Sequence, residues 1–501
     1  MLVEPILSHA REKPNEPAII DDQGQYTYAQ LAAMSIGLSR MLAARTTRPT
    51  VGLMLPAGVG FVASFYGTLL AGKAVVPINF LLGDREIAHV LKDSGIDTIL
   101  SIPPLIGRLK DSGLNLIDLL QLPRPTPIAE LPPDSAIVPA KSPDDLAVLM
   151  YTSGTSGLPK GVELTYNNLQ SDVDASIVQA ALKEKHVFLG VIPLFHAFGL
   201  TGMMLAPIQL GSLTVYIARF SPVAAWNAIK KHNVSLMFAV PSMYAAIANL
   251  KSATADDFKQ MYAMLTGGEP LPAALVQKFR ERFNQPLYEG YGLTETSPVI
   301  AVNVPQCSQY GSVGRPLAPV QVRIVDDDGN PLPVNSIGEV WLHGPMIMKG
   351  YHNLPAETAQ VFSPDGFFKT GDLGKMDGEG FLHITGRKKD MIIVAGEKAY
   401  PREIEEVLTK HEAVAEAAVV GRRDARRGEL IVAFIVLKEA ATSTGDALRD
   451  FCREQALPQW KIPREVYFVE QLPRSPTGKV LKRILSEQAA AAAEGPAASS
   501  P

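Results

Sequence analysis

The chain has 501 residues, 47% of them hydrophobic and 20% charged, with a formal net charge of −4. That length exceeds one compact core, so two or more domains are expected, and the composition is that of an ordinary globular protein. The slight negative charge argues against a nucleic-acid partner and against a strongly basic membrane-binding face. Two cysteines, Cys307 and Cys452, offer no zinc spacing and no disulfide framework, which fits a reducing compartment. Met1-Leu-Val-Glu4 carries an early acid and no basic run, so no signal peptide is expected, and the expected location is cytoplasmic.

Thr27-Tyr-Ala-Gln30 reads as a capping box, followed by Leu31, Met34, Leu38 and Met41 at helical spacing. Val51 to Leu55 reads as a strand, Phe61 to Leu70 as a helix and Ala74 to Ile78 as a strand. The same rhythm recurs at Asp97 to Ser101, Val187 to Ile192, Leu213 to Ile217 and Ser235 to Val240. It predicts an α/β architecture with largely parallel sheets. From Val187 to Ala218 there is no Asp, Glu, Lys or Arg. That is long enough to span a bilayer, but Pro193, His196, Pro207 and several glycines interrupt it. A buried helix and strand beside an apolar pocket are expected instead, with no transmembrane segment; peripheral membrane contact stays open. After about residue 310 the texture becomes β-rich, with hairpins around Asp327-Asp-Gly329. The chain turns charged at Lys388-Lys-Asp390, where a domain boundary is expected, and Pro401 to Leu408 reads as a helix. The expected layout is a large N-terminal domain (1–388) of α/β sheets with a β-rich subdomain (about 310–388), a small mobile α+β domain (389–487), and a disordered Ala/Ser/Pro/Gly-rich tail (488–501).

The densest chemistry lies in Tyr151-Thr-Ser-Gly-Thr-Ser-Gly-Leu-Pro-Lys160-Gly-Val-Glu163. Gly154 and Gly157 allow main-chain N–H groups to turn toward an anion. Thr152, Ser153, Thr155 and Ser156 add hydroxyl donors, and Lys160 adds a point charge. A phosphate-holding loop between the strand Leu146–Met150 and a helix-like segment is predicted. Its spacing is not that of the Walker loop. Taken alone, the segment also reads as a Gly/Ser-rich surface turn.

Four further motifs follow: Tyr288-Glu-Gly-Tyr-Gly-Leu-Thr-Glu-Thr296, Phe368-Lys-Thr-Gly-Asp-Leu373, Gly386-Arg-Lys-Lys-Asp390 and Pro473-Arg-Ser-Pro-Thr-Gly-Lys479. In this order, at these distances and over nearly the whole chain, the five motifs resemble the adenylate-forming superfamily. Glu289 to Pro298 and Pro193-Leu-Phe-His-Ala-Phe-Gly199 look most like fatty acyl-CoA ligases. The resemblance implies attack of a carboxylate on the α-phosphate of ATP, giving acyl-AMP and pyrophosphate, then displacement of AMP by the thiol of CoA. It implies ATP, Mg²⁺ and CoA as cofactor and co-substrates. Two anions meet in the first step, so cations and donors are needed. By resemblance, Thr152, Ser153 and Thr155 hold the β- and γ-phosphates, Thr294 the α-phosphate, and Glu295 the metal, because a hard cation wants oxygen. Asp372 accepts from both ribose hydroxyls, and Arg387 reaches the same ribose. Gly268, Glu269 and Pro270, with Tyr291 by stacking, would form the adenine slot, and Glu289, Gly290 and Gly292 belong to the same ATP/AMP-binding set. Lys479 bridges carboxylate and α-phosphate, and Lys389 is the hinge about which the C-terminal domain turns. Phe195, His196, Phe198 and Val240 line the acyl pocket, His196 as a gate.

Other readings stand beside these. His196 also reads as a core histidine or a general base, although no Ser or Cys nucleophile motif accompanies it. Arg422-Arg-Asp-Ala-Arg-Arg427 suits the 3′-phosphate of CoA or an acidic carrier protein, or is simply solvated. Tyr166 stands where many relatives have His, and Gly396-Glu-Lys-Ala-Tyr400 replaces a more frequent Gly-Glu-Asn-Ile-Tyr. Both bear on the thiol acceptor, so an acyl-AMP ligase loading an acyl carrier protein is the second expectation. An amino-acid substrate is disfavoured, because Phe195-His-Ala-Phe198 offers no acid for its ammonium. A dicarboxylate would want an arginine, which Val187 to Ala218 lacks. A luciferase-type oxygenase would share every motif. A non-catalytic binder would be expected to lose Lys479 or Glu295, and both are present.

Overall fold

The computed structural model describes residues 2–122, 131–153, 158–424, 427–474 and 480–494. Packing divides the chain into two compact units, residues 1–322 with 342–368, and residues 323–341 with 369–501.

The first unit contains two large sheets. One has nine strands in the order Arg315–Pro316, Val299–Val302, Tyr288–Gly292, Ala263–Thr266, Leu236–Ala239, Val187–Gly190, Leu213–Tyr216, Pro17–Asp21, Gly24–Thr27. Its centre is parallel and its two edges are antiparallel. The other has seven strands in the order Gly350–Tyr351, Pro159–Thr165, Leu146–Ser153, Ala74–Pro77, Thr50–Met54, Thr98–Ser101, Asn115–Asp118. The expected parallel α/β texture is therefore present. Buried parallel strands need both faces covered, which is why they read as continuous apolar runs. The capping box is real: Gln30 N–H donates to Thr27 Oγ1, and Thr27 N–H to Gln30 Oε1 at 2.9 Å. Its helix, Tyr28–Arg45, crosses the almost wholly buried helix Val59–Leu70 at Gly67, where a Cβ would come within 2.9 Å of the Ser35 carbonyl.

The uncharged stretch forms the strands Val187–Gly190 and Leu213–Tyr216 and, between them, a helix with an unusual middle. Ala197–Leu200 is α, Thr201–Leu205 is a π turn and Ala206–Leu210 is α again. Pro207 has no N–H to give the preceding turn. The Met203 carbonyl instead accepts a hydrogen bond from the Tyr216 hydroxyl at 2.6 Å. Among the described residues no helix is long and apolar enough to cross a membrane.

The second unit holds a four-stranded sheet, Gln321–Val325, Gly338–His343, Phe368–Met376, Leu382–Arg387, and a five-stranded sheet built on Val414–Asp424 and Gly428–Leu437. The compact units do not follow the boundary expected at Lys388–Asp390. Much of the β-rich segment packs with the C-terminal residues, because Lys388 reaches Glu339 at 3.0 Å, Lys398 reaches Asp327 at 2.7 Å, and Arg402 donates to the Ile384 carbonyl at 2.8 Å. Residues 342–368 instead return to the first unit, where Gly350–Tyr351 extends the seven-stranded sheet. The helix Lys482–Glu494 also runs through the first seven residues of the segment expected to be disordered. Its alanines are strong helix formers, and Leu485 and Ala489 are buried against Val420 and Phe434.

Candidate active site

Four neighbouring parallel strands of the nine-stranded sheet end on the same side, and each is followed by a predicted site segment. Val187–Gly190 leads to Phe195, His196 and Phe198; Leu236–Ala239 leads to Val240; Ala263–Thr266 leads to Gly268, Glu269 and Pro270; Tyr288–Gly292 leads to Thr294 and Glu295. Ligands of open α/β sheets bind outside the carboxyl ends of the strands.

The glycines there are steric requirements. Gly268 has φ +80°, which suits glycine. A Cβ at Gly267 would approach the Gly290 carbonyl to 3.2 Å and the Phe198 ring to 3.8 Å, and one at Gly268 would lie 3.9 Å from Val240. The segment predicted to hold adenine and the apolar side chains thus lie close together. Glu289 is buried, and its Oε1 accepts from Leu271 N–H at 3.3 Å, which pins the strand end to the loop after Pro270. Tyr291 sits opposite Ala301 in the same strand pair. A Cβ at Gly292 would fall 1.7 Å from the Pro298 carbonyl oxygen, so the turn through Thr294–Thr296 closes only over glycine.

That turn is held from several sides. Thr296 Oγ1 accepts from Leu293 N–H at 2.9 Å and donates to the Pro298 carbonyl at 2.6 Å. Thr201, in the π turn, donates to the Ser297 carbonyl at 2.7 Å, and Ser297 donates to the Met346 carbonyl at 2.9 Å. Val299 N–H donates to Asp172 Oδ1 at 3.0 Å. Asp172 is completely buried, and its Oδ2 has no hydrogen-bond partner. Loss of hydration raises its pKa well above the usual carboxylate range.

The phosphate segment departs from expectation in one respect. No helix follows directly; the loop joins antiparallel strands, with Thr152 opposite Lys160. The helix Tyr166–Gln179 starts only after the second strand, capped by Thr165 and Asn168, and Tyr166 is buried in its first turn. All of Pro159–Thr165 except Lys160 and Glu163 is buried, so the strand shows no period-two pattern in sequence, and its Gly and Pro disguise it further. Gly154, Thr155, Ser156, Gly157 and Lys479, and the side chain of Ser153, lie outside the described residues.

Lys160 Nζ lies 5.2 Å from the centre of the Tyr351 ring. The Tyr351 hydroxyl donates to Glu295 Oε1 at 2.9 Å. A lysine of the phosphate hairpin and the predicted metal carboxylate therefore meet on one tyrosine. Beside them, His352 Nδ1 lies 2.7 Å from Glu163 Oε1, a bond that raises the imidazole pKa. Among the described residues no three His, Cys, Asp or Glu side chains cluster as a metal cage. Mg²⁺ needs no such cage, since it is usually held by one or two carboxylates plus substrate phosphates. Glu295 Oε2, which has no protein partner among the described residues, suits that role.

In the apolar group, Phe195 packs edge-on against Phe80 at 5.0 Å and beside His196 at 4.8 Å, and Phe198 meets Phe238 edge-on at 5.9 Å. His196 as a residue is half-buried, and its Nε2 is buried without a hydrogen-bond partner. Burial lowers its pKa from 6.5 to about 4. Among the described residues no carboxylate orients it.

Asp372 and Arg387 lie in the second unit, directly opposite one another on paired strands, with Arg387 Nε 3.1 Å from Asp372 Oδ1. Asp372 is buried, and its own N–H donates to Thr370 Oγ1 at 3.0 Å. Lys389 is exposed in a single turn, Lys388–Asp390. Of the basic cluster, Arg422 is engaged by both carboxylate oxygens of Glu465, so it is a structural ion pair. Gly396 and Ala395, both at positive φ, form the hairpin turn between Ile392–Val394 and Glu397–Ala399. Sequence reasoning missed Tyr351, His352, Asp172 and Thr201. None sits in a motif with its partner; only the sheet and helix packing brings each to the site.

Glycine-lined strand ends, a lysine and a carboxylate joined through one tyrosine, and an uncharged apolar wall suit an enzyme that uses a nucleotide to activate an acid. The chain belongs to the AMP-binding enzyme family, which matches residues 7–352, with the AMP-binding enzyme C-terminal domain matching residues 403–479. It is 34% identical to a long-chain-fatty-acid–CoA ligase of Bacillus subtilis (87% of this chain, 85% of that one). It is also 34% identical to a feruloyl-CoA synthase of an Amycolatopsis species (94% and 96%). Its fold matches o-succinylbenzoate–CoA synthetase of Bacillus subtilis in complex with ATP and magnesium ion, with TM-score 0.85, 31% identity, and 96% and 98% of the two chains covered. The coarse activity follows: ATP-dependent, AMP-forming ligation of an acid to CoA. Enzymes of this kind use ATP, Mg²⁺ and CoA.

Proposed function

We propose that the acid is a medium- or long-chain fatty acid. The observation that carries this is the uncharged wall of Phe195, Phe198, Phe238 and Val240 meeting the glycine-lined adenine segment. The acid's carboxylate oxygen attacks the α-phosphorus of ATP, and pyrophosphate leaves. The sulfur of CoA then attacks the acyl carbon, AMP leaves, and the thiol proton passes to solvent. Thr152, Ser153, Thr155 and Lys160 hold the departing phosphates, Thr294 the α-phosphate and Glu295 the metal, which neutralises phosphate charge when bound. Asp372 and Arg387 grip the ribose. Lys479 contacts carboxylate and α-phosphate together, and turning about Lys389 removes it before the thiol arrives. A neutral His196 is a pocket wall or gate, since a base with a pKa near 4 is poorly matched to a thiol.

The aromatic edges of Phe80, Phe195, Phe198 and Phe238 favour one second reading, a planar aromatic acid. An acyl carrier protein in place of CoA remains the alternative acceptor. A pyrophosphate-release screen tests all three, using straight-chain acids of graded length, cinnamate-type acids and acetate, with and without CoA. Each buried CH₂ contributes about 0.8 kcal/mol, so kcat/KM should climb several-fold per carbon until the pocket fills. A flat chain-length response, or best activity with an aromatic acid, rejects the fatty-acid reading. Pyrophosphate release without CoA consumption points to a carrier protein.

A further inference from the structure

Tyr351 occurs in none of the five motifs that define the nucleotide site, yet it touches two residues that do. It ends the two-residue strand Gly350–Tyr351, which pairs with Val162 and Glu163 of the phosphate hairpin. The strand is clamped on both sides: Lys349 N–H donates to the Glu163 carbonyl at 3.0 Å and His352 N–H to the Gly161 carbonyl at 2.8 Å. Tyr351 N–H donates to Thr358 Oγ1 at 2.9 Å. At the other end of the bridge, Met348 N–H donates to the Glu295 carbonyl at 2.8 Å. Both the phenol and the carboxylate are thus fixed to rigid backbone.

We propose that Tyr351 is a positioning residue of the adenylation step: its hydroxyl holds Glu295 with one oxygen turned to the metal, and its ring seats Lys160 for the nucleotide phosphates. This rests on the reading of Glu295 as the metal carboxylate. An unrestrained carboxylate rotates about its last bond and offers either or both oxygens. Mg²⁺ demands near-octahedral geometry and tolerates little of that freedom. With Oε1 taken by the phenol, a single oxygen remains for the cation, and an outer hydrogen bond of this kind commonly sets ligand direction. The ring face confines the Lys160 ammonium by cation–π attraction without neutralising it. A carboxylate partner in the same place would cancel the charge the phosphates need.

The test is ATP binding to the full chain by calorimetry, without acid or CoA, at rising Mg²⁺, for wild type, Tyr351→Phe, Tyr351→Leu and Glu295→Gln. Tyr351→Phe keeps the ring and loses the hydroxyl. It should raise the Mg²⁺ concentration for half-maximal binding roughly tenfold, the scale of one hydrogen bond to a charged group, with affinity at saturating Mg²⁺ changed less than about twofold. Tyr351→Leu should also weaken binding at saturating Mg²⁺, because Lys160 loses its seat. If Glu295→Gln shifts the Mg²⁺ dependence and Tyr351→Phe does not, the positioning role is overturned. If Glu295→Gln leaves the Mg²⁺ dependence unchanged, the metal-carboxylate reading itself fails. A Tyr351→Phe protein whose melting temperature and ATP affinity fall together at every Mg²⁺ concentration marks the tyrosine as merely structural, and overturns the inference as well.

Discussion

Burying His196 as a neutral imidazole makes the stability of the first unit depend on pH in a direction that can be worked out. The folded-state pKa is lowered from 6.5 to about 4. Between those values the unfolded chain binds a proton that the folded chain refuses, so stability falls as pH falls from 6.5 and levels off below about 4. The full window spans about 2.5 pKa steps, or roughly 3 kcal/mol at 1.36 kcal/mol per step. About 2 kcal/mol of that should be gone at pH 5, with almost none lost at pH 7. Other groups titrate in the same range, so the informative quantity is the difference between wild type and His196→Phe. The three tryptophans are Trp226, Trp341 and Trp460, and only Trp226 lies in the first unit. Urea unfolding followed by Trp226 fluorescence, with Trp341 and Trp460 replaced by phenylalanine in both proteins, isolates that unit. Relative to the variant, wild type should lose roughly 2 kcal/mol between pH 7 and pH 5. A difference that stays flat across that interval refutes the buried neutral imidazole. The same geometry predicts that His196→Phe keeps the shape of the kcat/KM pH profile between pH 5 and 8. A missing acid limb in the variant would instead make His196 a titrating participant.

Other expectations follow from single contacts. Gly292→Ala should abolish pyrophosphate release, since its Cβ would sit 1.7 Å from a backbone oxygen, whereas Gly290→Ala, whose nearest neighbour is 3.3 Å away, should retain most activity; equal effects would refute the steric argument. Tyr216→Phe leaves the Met203 carbonyl of the π turn unpaired in the core and should cost about 1–3 kcal/mol in urea unfolding; no measurable loss would mean that the carbonyl finds another donor. Asp172, whose folded pKa is raised, is most favourable below the unfolded value of 3.8 and costs more as pH rises. Asp172→Asn should therefore gain on wild type in urea midpoint from pH 4 to 7, and the opposite trend would show an ionised carboxylate. Asp372→Asn removes a charged acceptor and the partner of Arg387, so the KM for ATP should rise about tenfold or more with melting little changed, while an unaltered KM would take Asp372 out of the nucleotide site.

What the sequence determined by itself was local or periodic. The capping box at Thr27, the apolar strands, and the glycines at Gly268 and Gly292 are short-range consequences of sterics and hydrogen bonding, so a window of a few residues carries them. Motif order likewise sufficed for the family. What only the tertiary structure decided was long-range. The phosphate loop joins two strands because Pro159–Thr165 finds an antiparallel partner in Leu146–Ser153, and its glycine and proline disguise that in sequence. Residues 342–368 rejoin the first unit because one short strand, Gly350–Tyr351, pairs nearly two hundred positions upstream. The same pairing places Tyr351 against both Lys160 and Glu295. Asp172 reaches Val299 across 127 residues. Side chains of this kind carry no local signal, since their role is created by the partner that folding delivers.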